Sequence, residues 1–246
     1  MSTELVNYES KDDIAIITLN RADKLNALDV DLGEALRGAL QRFQAGSDKV
    51  GILASSNSRA FSVGADLRNP GEIWRFTPSV GVEVDKPLIA AVDGFVVGGA
   101  VVLVQFCDLC VAAETTVFSY PEAKVGVSGG LISSLAARIP HKIAMEFVLY
   151  ASDLTAQRAY EVGMVNKVVP ADQLMDAAMD YARTLSQHAP MVLSTLKRFV
   201  AEVINKGPSE LGGIARRSTE AILDSQDRLE GIASFKEKRA PKFTGK

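Results

Sequence analysis

The apolar residues in the first half of the chain fall into short, dense runs that polar segments separate. Five runs have the β-branched and aliphatic composition of buried strands: Ile14–Leu19, Val50–Ser55, Leu88–Val92, Asp108–Ala112 and Val117–Ser119. Between the first two runs, apolar residues recur at helical spacing over residues 29–43, and Asp29 is a suitable N-cap. Strands that alternate with helices in this way predict an α/β fold.

The second half of the chain has the period of helices. Apolar residues recur at helical spacing through six segments: Ile143–Tyr150, Thr155–Val162, Ala171–His188, Pro190–Asn205, Pro208–Asp224 and Arg228–Lys236. One short segment, Asn166–Val169, is predicted to be extended. The change from a mixed to a helical pattern near residue 140 predicts a core followed by a helical C-terminal region.

Residues 88–106 form an apolar stretch as long as a membrane span. Asp93 lies within it, and a carboxylate near a bilayer centre costs about 3 kcal/mol on insertion scales. Gly94, Gly98 and Gly99 interrupt the stretch further. We therefore interpret it as a buried strand, a glycine turn and a buried helix, and expect no membrane partner.

Composition narrows the function classes. The 246 residues include 27 Lys plus Arg and 30 Asp plus Glu, a net charge of −3, which argues against a nucleic-acid-binding protein. Cys107 and Cys110 cannot build a disulfide framework, and no cysteine and histidine cluster has the spacing of a metal site. The N-terminus, Met1–Glu4, lacks the pattern of a signal peptide. These features predict a reduced, cytoplasmic protein without a metal.

Two glycine motifs follow predicted strands. One is Ala60–Leu67, and the other is Asp93–Ala100, which leads into an apolar helix. Glycine at a helix start lets a ligand approach free N–H groups, and the helix dipole there favours negative charge. Two such N–H groups from separate loops would form an oxyanion hole. The alternative is a pair of tight turns with close packing.

The motifs, taken in order, resemble those of the crotonase superfamily, the family of enoyl-CoA hydratases and isomerases. The matching segments are Arg21–Leu28, Phe61–Leu67, Asp93–Gly99, Ser119–Glu122 and Glu230–Arg239. The resemblance implies an α/β fold with a crotonase-like spiral of ββα units over residues 1–190. It also implies a helical trimerisation region over residues 191–246, and hence a homotrimer or a hexamer built as a dimer of trimers.

The resemblance also implies an acyl-CoA site. The N–H groups of Ala65 and Gly99 would hold the thioester oxygen, and Glu122 would be the general acid/base. The residues that it places near CoA are Lys24, Leu25, Ala60, Ser62, Asp66, Gly98, Phe235 and Lys238, the last two reaching CoA from a neighbouring subunit. No cofactor is expected apart from the coenzyme A that belongs to the substrate.

Two departures from the family pattern bear on the reaction. Val102 stands where hydratases of the family have a first catalytic glutamate, and valine can neither orient nor ionise water. The loop Val127–Leu131 replaces a longer glycine-rich loop, and the shortened stretch Arg68–Asp85 predicts a different acyl pocket wall. Tyr120 is a candidate for lining that pocket, as are Trp74 and Ser128.

Four functions follow from this pattern. A double-bond isomerase with Glu122 as its one acid/base is favoured, because isomerases of the family work with one carboxylate at this position. The second is a hydratase on an unusual enoyl-CoA. The third is a catalytically weak scaffold that binds acyl-CoA. The fourth, a hydrolase, would need a nucleophile that the sequence does not reveal.

Overall fold

Parallel strand pairing organises the computed structural model of the protein, in which residues 4–246 are described. In this part of the chain ten strands are present: β1 (Val6–Lys11), β2 (Ile14–Leu19), β3 (Val50–Ser55), β4 (Ala60–Ser62), β5 (Leu88–Val92), β6 (Phe95–Val97), β7 (Leu109–Ala113), β8 (Val117–Ser119), β9 (Leu154–Thr155) and β10 (Lys167–Val169). One sheet has the order β1-β2-β3-β5-β7-β10, and the other has the order β4-β6-β8-β9. Except for the antiparallel pairs β1–β2 and β8–β9, neighbouring strands are parallel.

Helices surround the sheets and make up the C-terminal region. Within residues 4–246 they are α1 (Val30–Ala45), α2 (Ile73–Phe76), α3 (Gly99–Gln105), α4 (Glu122–Val125), α5 (His141–Met145), α6 (Ala156–Glu161), α7 (Leu174–Ser186), α8 (Pro190–Val203), α9 (Pro208–Leu223) and α10 (Gln226–Glu237). A 3₁₀-helical segment, residues 131–137, follows α4.

The larger sheet is buried on both faces, which explains why its strands are continuous apolar runs. On one face α1 contributes Leu36 and Phe43 to a core that includes Leu53. On the other face α7 packs on β3 and β5, and its Ala178 joins a second cluster with Ile89. The core therefore holds the sheet between helices, as in other α/β proteins.

The smaller sheet determines where chemistry can occur. Strands β4, β6 and β8 run parallel, with Val96 of β6 opposite Phe118 of β8. Because the carboxyl ends of parallel strands meet at one edge of a sheet, the segments that follow these strands lie side by side. Those segments are residues 63–66, 98–99 and 120–122.

Helices α8, α9 and α10 bury much less apolar surface than the core. Helix α8 has no buried residue, whereas α9 packs on α2 and on the 3₁₀ segment. Large apolar side chains are exposed along all three helices: Met191, Val192, Leu196, Phe199, Val200, Val203, Leu211, Ile222, Leu223, Leu229, Ile232 and Phe235. The start of α8 coincides with the predicted boundary at residue 190, and the division into two regions stays a prediction.

The sequence predicted most elements and missed the shortest ones. The N-cap prediction is confirmed, because Asp29 Oδ1 accepts the Leu32 N–H at 2.9 Å. Strands β4, β6 and β9 were missed, since two or three residues show no periodicity, and β1 was missed because of its polar outer half. The helix predicted over residues 143–150 is confirmed, and its second half, Glu146–Tyr150, is a π-helical turn.

The apolar stretch of residues 88–106 folds as predicted, into β5, a glycine turn with the short strand β6, and α3. Among residues 4–246, no helix has both the length and the apolar character to cross a membrane. The same residues contain no group of three or more His, Cys, Asp or Glu placed to hold a metal ion. Met1–Thr3, which enter the expectation about a signal peptide, lie outside the described residues.

Candidate active site

The loop after β4 holds the Ala65 N–H in a fixed direction. The Leu28 N–H donates to the Gly64 carbonyl at 2.7 Å, and the Asp66 N–H donates to the Leu28 carbonyl at 3.0 Å. In a parallel bridge of this kind, the N–H of the intervening residue points to the opposite side. In the described part of the chain, no hydrogen bond uses the Ala65 N–H, which is therefore available to a ligand.

A second N–H group becomes available where α3 begins. Gly98 has φ +55°, a left-handed conformation that favours glycine, and its N–H donates to the Ser119 carbonyl at 2.9 Å. Gly99 is the first residue of α3, so its N–H has no acceptor within the helix. The helix dipole adds partial positive charge at this position.

The two loops are in contact, so their free N–H groups serve one site. A methyl group at Gly64, which has φ +84°, would lie 2.6 Å from the Val97 carbonyl oxygen and 3.4 Å from the Gly99 nitrogen. Ala65 and Gly99 both line the same cavity of about 440 Å³. Two free backbone N–H groups that line one cavity are the donors that an oxyanion hole requires, and this role of Ala65 and Gly99 stays a prediction.

Glu122, the first residue of α4, lines the same cavity. Its carboxylate lies against Gly98, where a methyl group would be 2.5 Å from Glu122 Oε1. Glu122 Oε2 is buried and has no hydrogen-bond partner among the described residues. Burial raises the pKa of Glu122 to about 7, and the hydrogen bond from its own backbone N–H opposes that shift. A carboxyl group with this pKa can both accept and return a proton near neutral pH.

The rest of the cavity is mainly apolar. Val102 is 4% exposed and lines it together with Trp74, Tyr120 and Leu131. Burial, with the charge of Glu122 added, raises the pKa of Tyr120 to about 12, so its hydroxyl stays protonated at neutral pH. The sequence proposed Trp74, Tyr120 and Ser128 as lining residues, and all three line this cavity.

Helix α2 and its N-cap residue supply two residues of the cavity that the sequence did not single out. Glu72 and Ile73 line it beside Trp74, and Glu72 is the second carboxylate on the cavity wall. Helix α2 has four residues, so it shows no helical period in the sequence. The shortened stretch of residues 68–85 was the one available signal that this wall would differ.

Asp66 does not line the cavity and instead belongs to an ion-pair network around Arg21. Arg21 Nη1 donates to Asp66 Oδ2 at 3.0 Å, and Arg21 Nη2 lies 2.9 Å from Asp29 Oδ2. The hydrogen bond from Arg21 holds the pKa of Asp66 below its usual range. Arg21 therefore ties the Ala65 loop to the start of α1, and a contact between Asp66 and CoA stays a prediction.

Four further predicted CoA residues surround the Ala65 loop. The side chains of Ala60 and Ser62 are fully buried, and Ser62 Oγ donates to the Asn26 carbonyl at 2.7 Å. These two side chains therefore support the loop from inside. Lys24 is exposed, and the Leu25 carbonyl accepts the Val63 N–H at 3.1 Å, which places the Lys24–Leu25 turn beside the site.

The last two predicted CoA residues lie at the end of α10. Phe235 is 85% exposed, and Lys238 follows the helix with φ +54°. Neither residue lines the cavity of its own chain. Part of the basic tail is neutralised internally, because Arg239 Nη1 lies 2.6 Å from Glu230 Oε1. The binding roles of Phe235 and Lys238 stay predictions.

The sequence of the chain is similar to those of known proteins. A family model described as enoyl-CoA hydratase/isomerase matches residues 9–246. A protein of Mycobacterium tuberculosis named probable enoyl-CoA hydratase is 33% identical, and the alignment covers 99% of both chains. The methylmalonyl-CoA decarboxylase of Escherichia coli is also 33% identical, over 100% of both chains.

A solved structure shares the fold over the whole chain. The carnitinyl-CoA hydratase of Mycobacterium avium superposes with a TM-score of 0.78 at 30% identity, covering 100% of each chain. The predicted fold class is thereby confirmed: a mixed α/β core of the crotonase type with a helical C-terminal region. The names of these relatives describe different reactions on CoA thioesters, so the similarity alone does not determine the reaction of this chain.

Proposed function

The chain belongs to the enoyl-CoA hydratase/isomerase family, and from that premise we propose that it moves the double bond of an enoyl-CoA thioester. The observation that carries this proposal is the cavity wall around Glu122. Glu122 lines the cavity together with Val102, and the resemblance described above implies that Val102 stands where hydratases of the family have a first catalytic glutamate. One carboxylate is sufficient for a proton shift, whereas two-glutamate hydration needs a second group to hold water.

In the proposed reaction Glu122 moves one proton. With a 3-enoyl-CoA, the Glu122 carboxylate removes a proton from carbon 2, and the electron pair delocalises into the thioester. The oxygen gains negative charge, which the N–H groups of Ala65 and Gly99 stabilise more strongly than they stabilise the neutral carbonyl. Glu122 then returns the proton to carbon 4, which leaves a 2-enoyl-CoA. No atom is gained or lost, and coenzyme A enters as part of the substrate.

Hydration of an unusual enoyl-CoA is the second candidate. It is supported by the relatives whose names describe hydratases and by Glu72, a second carboxylate on the cavity wall. In this reaction Glu122 would activate water alone or together with Glu72. The exposure of Glu72 makes it a weaker candidate, because its charge is screened by solvent.

One substrate panel tests these alternatives. Purified enzyme is incubated with 3-hexenoyl-CoA and with crotonyl-CoA, and the products are followed by ultraviolet absorbance and mass. We expect 3-hexenoyl-CoA to gain the absorbance of a conjugated thioester without a change in mass. A gain of one water from crotonyl-CoA at a comparable rate would support hydration instead. Free CoA would indicate hydrolysis, and tight binding without turnover would indicate a scaffold.

We further propose that the protein forms a homotrimer, alone or as a dimer of trimers. The exposed apolar side chains of α8, α9 and α10 support an interface, since monomeric proteins rarely expose apolar patches of this extent. Sedimentation equilibrium of the full chain tests this proposal. A cytoplasmic location is also proposed, in keeping with the two free cysteines and with burial that raises the pKa of Cys110 to about 12.

A further inference from the structure

A second cavity of about 470 Å³ lies between the core and α8. Its lining is largely apolar and includes Phe106, Leu109, Leu193 and Val200. It shares no lining residue with the cavity that contains Glu122. The second cavity and the Glu122 cavity are therefore separate spaces of similar volume.

Helix α3 forms part of the wall between the two cavities. Val102 lines the Glu122 cavity, and Gln105, one turn further on the same helix face, lines the second cavity. Gln105 is 8% exposed, and its Nε2 donates to the Leu131 carbonyl at 2.9 Å. Leu131 lines the Glu122 cavity, so the Gln105–Leu131 hydrogen bond joins the walls of the two spaces. Ser134 Oγ donates to the same carbonyl at 2.9 Å and strengthens this junction.

A contact at the start of α9 completes the wall between the two cavities. Gly130 lines the Glu122 cavity, and Ser209 packs against it so closely that a methyl group at Gly130 would collide with the Ser209 hydroxyl. Glu210, the next residue, lines the second cavity. The start of α9 thus lies between the two spaces, as Gln105 does on the side of α3.

The position of this wall sets the depth of the Glu122 cavity. Helix α3 rises about 1.5 Å per residue, so Gln105 lies about 9 Å along the helix from the Gly99 N–H. An extended chain advances roughly 1.2 Å per single bond, so an acyl chain of roughly eight carbons, counted from the thioester carbonyl, spans that distance. A longer chain would meet a hydrogen-bonded amide, and Gln105 Oε1 is buried there without a partner in the described part of the chain.

We propose that Gln105 closes the inner end of the acyl pocket and restricts the enzyme to short acyl groups. This proposal rests on the proposed function, because it takes the thioester oxygen to lie between Ala65 and Gly99. Gln105 is a specificity-determining residue in this account and takes no part in the proton transfer. Its removal would join the two cavities and give a longer alkyl chain an apolar space to occupy.

The test measures binding of saturated acyl-CoAs, which do not react. Dissociation constants of hexanoyl-CoA and decanoyl-CoA are measured by calorimetry for the wild type and for Gln105→Ala. We expect the wild type to bind decanoyl-CoA at least about 10-fold more weakly than hexanoyl-CoA, the scale of selectivity of a closed apolar pocket. Gln105→Ala should remove most of that difference and leave hexanoyl-CoA binding nearly unchanged.

Two control variants separate the wall from other effects. Gln105→Leu keeps the side-chain volume without the hydrogen bond, and it should keep the preference for hexanoyl-CoA. Gln157→Ala changes an exposed helical glutamine and should behave as the wild type. Equal binding of both ligands by the wild type, or an unchanged ratio in Gln105→Ala, would overturn the proposal. Failure of the wild type to bind either acyl-CoA would instead overturn the proposed function.

Discussion

The cavity has two walls built on different principles. One wall consists of the backbone N–H groups of Ala65 and Gly99, which the strand pairing and the start of α3 hold in place. The other wall consists of side chains, with Glu122 next to apolar residues such as Val102 and with the exposed Glu72 at its edge. Substitutions in the two loops preserve the backbone wall as long as the loop conformation is kept. In the side-chain wall, by contrast, a single substitution can add or remove an acid or base.

This difference explains how relatives with the same fold carry the names of a hydratase and a decarboxylase. A negative charge that develops on a thioester oxygen can be stabilised in several reactions by the same donors. The proton transfers that distinguish those reactions depend on individual acids and bases. On this argument, a backbone wall of this kind could serve several reactions on thioesters, and the side-chain wall would decide between them.

Glu122→Gln removes the acid/base of the side-chain wall and leaves the backbone wall unchanged. It should lower kcat more than any other substitution. Loss of the general acid/base is expected to lower kcat by about 10²–10⁴-fold on the true substrate. Binding of hexanoyl-CoA, which does not react, should stay within about threefold of the wild type, because glutamine is nearly isosteric. Steady-state kinetics and calorimetry give the two measurements.

The matched control is Glu72→Gln, which removes the other carboxylate of the same cavity. We expect it to retain kcat within about threefold, since Glu72 is exposed. An equal loss in both variants would mean that Glu122 is not the sole acid/base. Full activity of Glu122→Gln would remove Glu122 from the mechanism.

Gly64→Ala should displace the N–H groups of the backbone wall without changing any polar side chain. The added methyl group would lie 2.6 Å from the Val97 carbonyl oxygen, at a residue with φ +84°. The loops that carry Ala65 and Gly99 must then move apart, and loss of one such donor typically costs about 10²–10³-fold in kcat. The kinetic constants with 3-hexenoyl-CoA measure this loss.

Two glycines serve as controls for Gly64. Gly129 lines the cavity but has open space around it, so Gly129→Ala should leave kcat nearly unchanged. Gly163 has φ +82° and open space, so Gly163→Ala isolates the backbone strain. If Gly163→Ala loses as much activity as Gly64→Ala, general destabilisation rather than the oxyanion hole is responsible.

The backbone wall was easier to predict from the sequence than the side-chain wall. Gly64 and Gly98 lie in contiguous motifs, whose conformational demands are local. Glu72 and Gln105 gave no such signal. Helix α2 is too short for a period, and the partner of Gln105 is 26 residues away in the chain. Contacts of that kind depend on how α3, the 3₁₀ segment and α9 pack together, and no local pattern records that packing.

The pH dependence of kcat/KM tests whether the pKa of Glu122, in the side-chain wall, is raised. Burial raises the pKa of Glu122 to about 7, so the carboxylate needed as a base is lost as pH falls through this value. We expect kcat/KM to drop about tenfold per pH unit well below pH 7 and to be flat above it. A profile that stays flat down to pH 5 would show that Glu122 is ionised in the free enzyme at that pH.

Val102→Glu restores a carboxylate to the side-chain wall. It should raise hydration of crotonyl-CoA by a few-fold, well below the roughly 10² that a well-placed acid contributes, because Glu122 and the new carboxylate repel each other. Val102 is 4% exposed, so the variant should also lose about 2 kcal/mol of stability. Val102→Gln, with similar shape and no charge, should not gain hydration. A gain in that variant would point to a change in pocket shape.

The smallest expected effect is a gain of stability in Glu122→Gln at alkaline pH. The pKa of Glu122 is about 7 in the folded protein and near its ordinary value of 4.5 when unfolded. Between these two pH values the folded state binds more protons than the unfolded state does. The contribution of Glu122 to stability therefore declines as the pH rises from about 4.5 to 7, and it stays low above pH 7. Glutamine does not titrate and escapes this decline.

The comparison of the two proteins across pH therefore has a defined sign. The quantity to compare is the free energy of unfolding of Glu122→Gln minus that of the wild type. We expect this difference to be about 1 kcal/mol larger at pH 8 than at pH 5, a modest value because Glu122 is partly exposed. Urea unfolding at both pH values measures this quantity. If the difference shrinks as pH rises, the carboxylate is stabilised in the folded state, and the burial that makes Glu122 a base near neutral pH is absent.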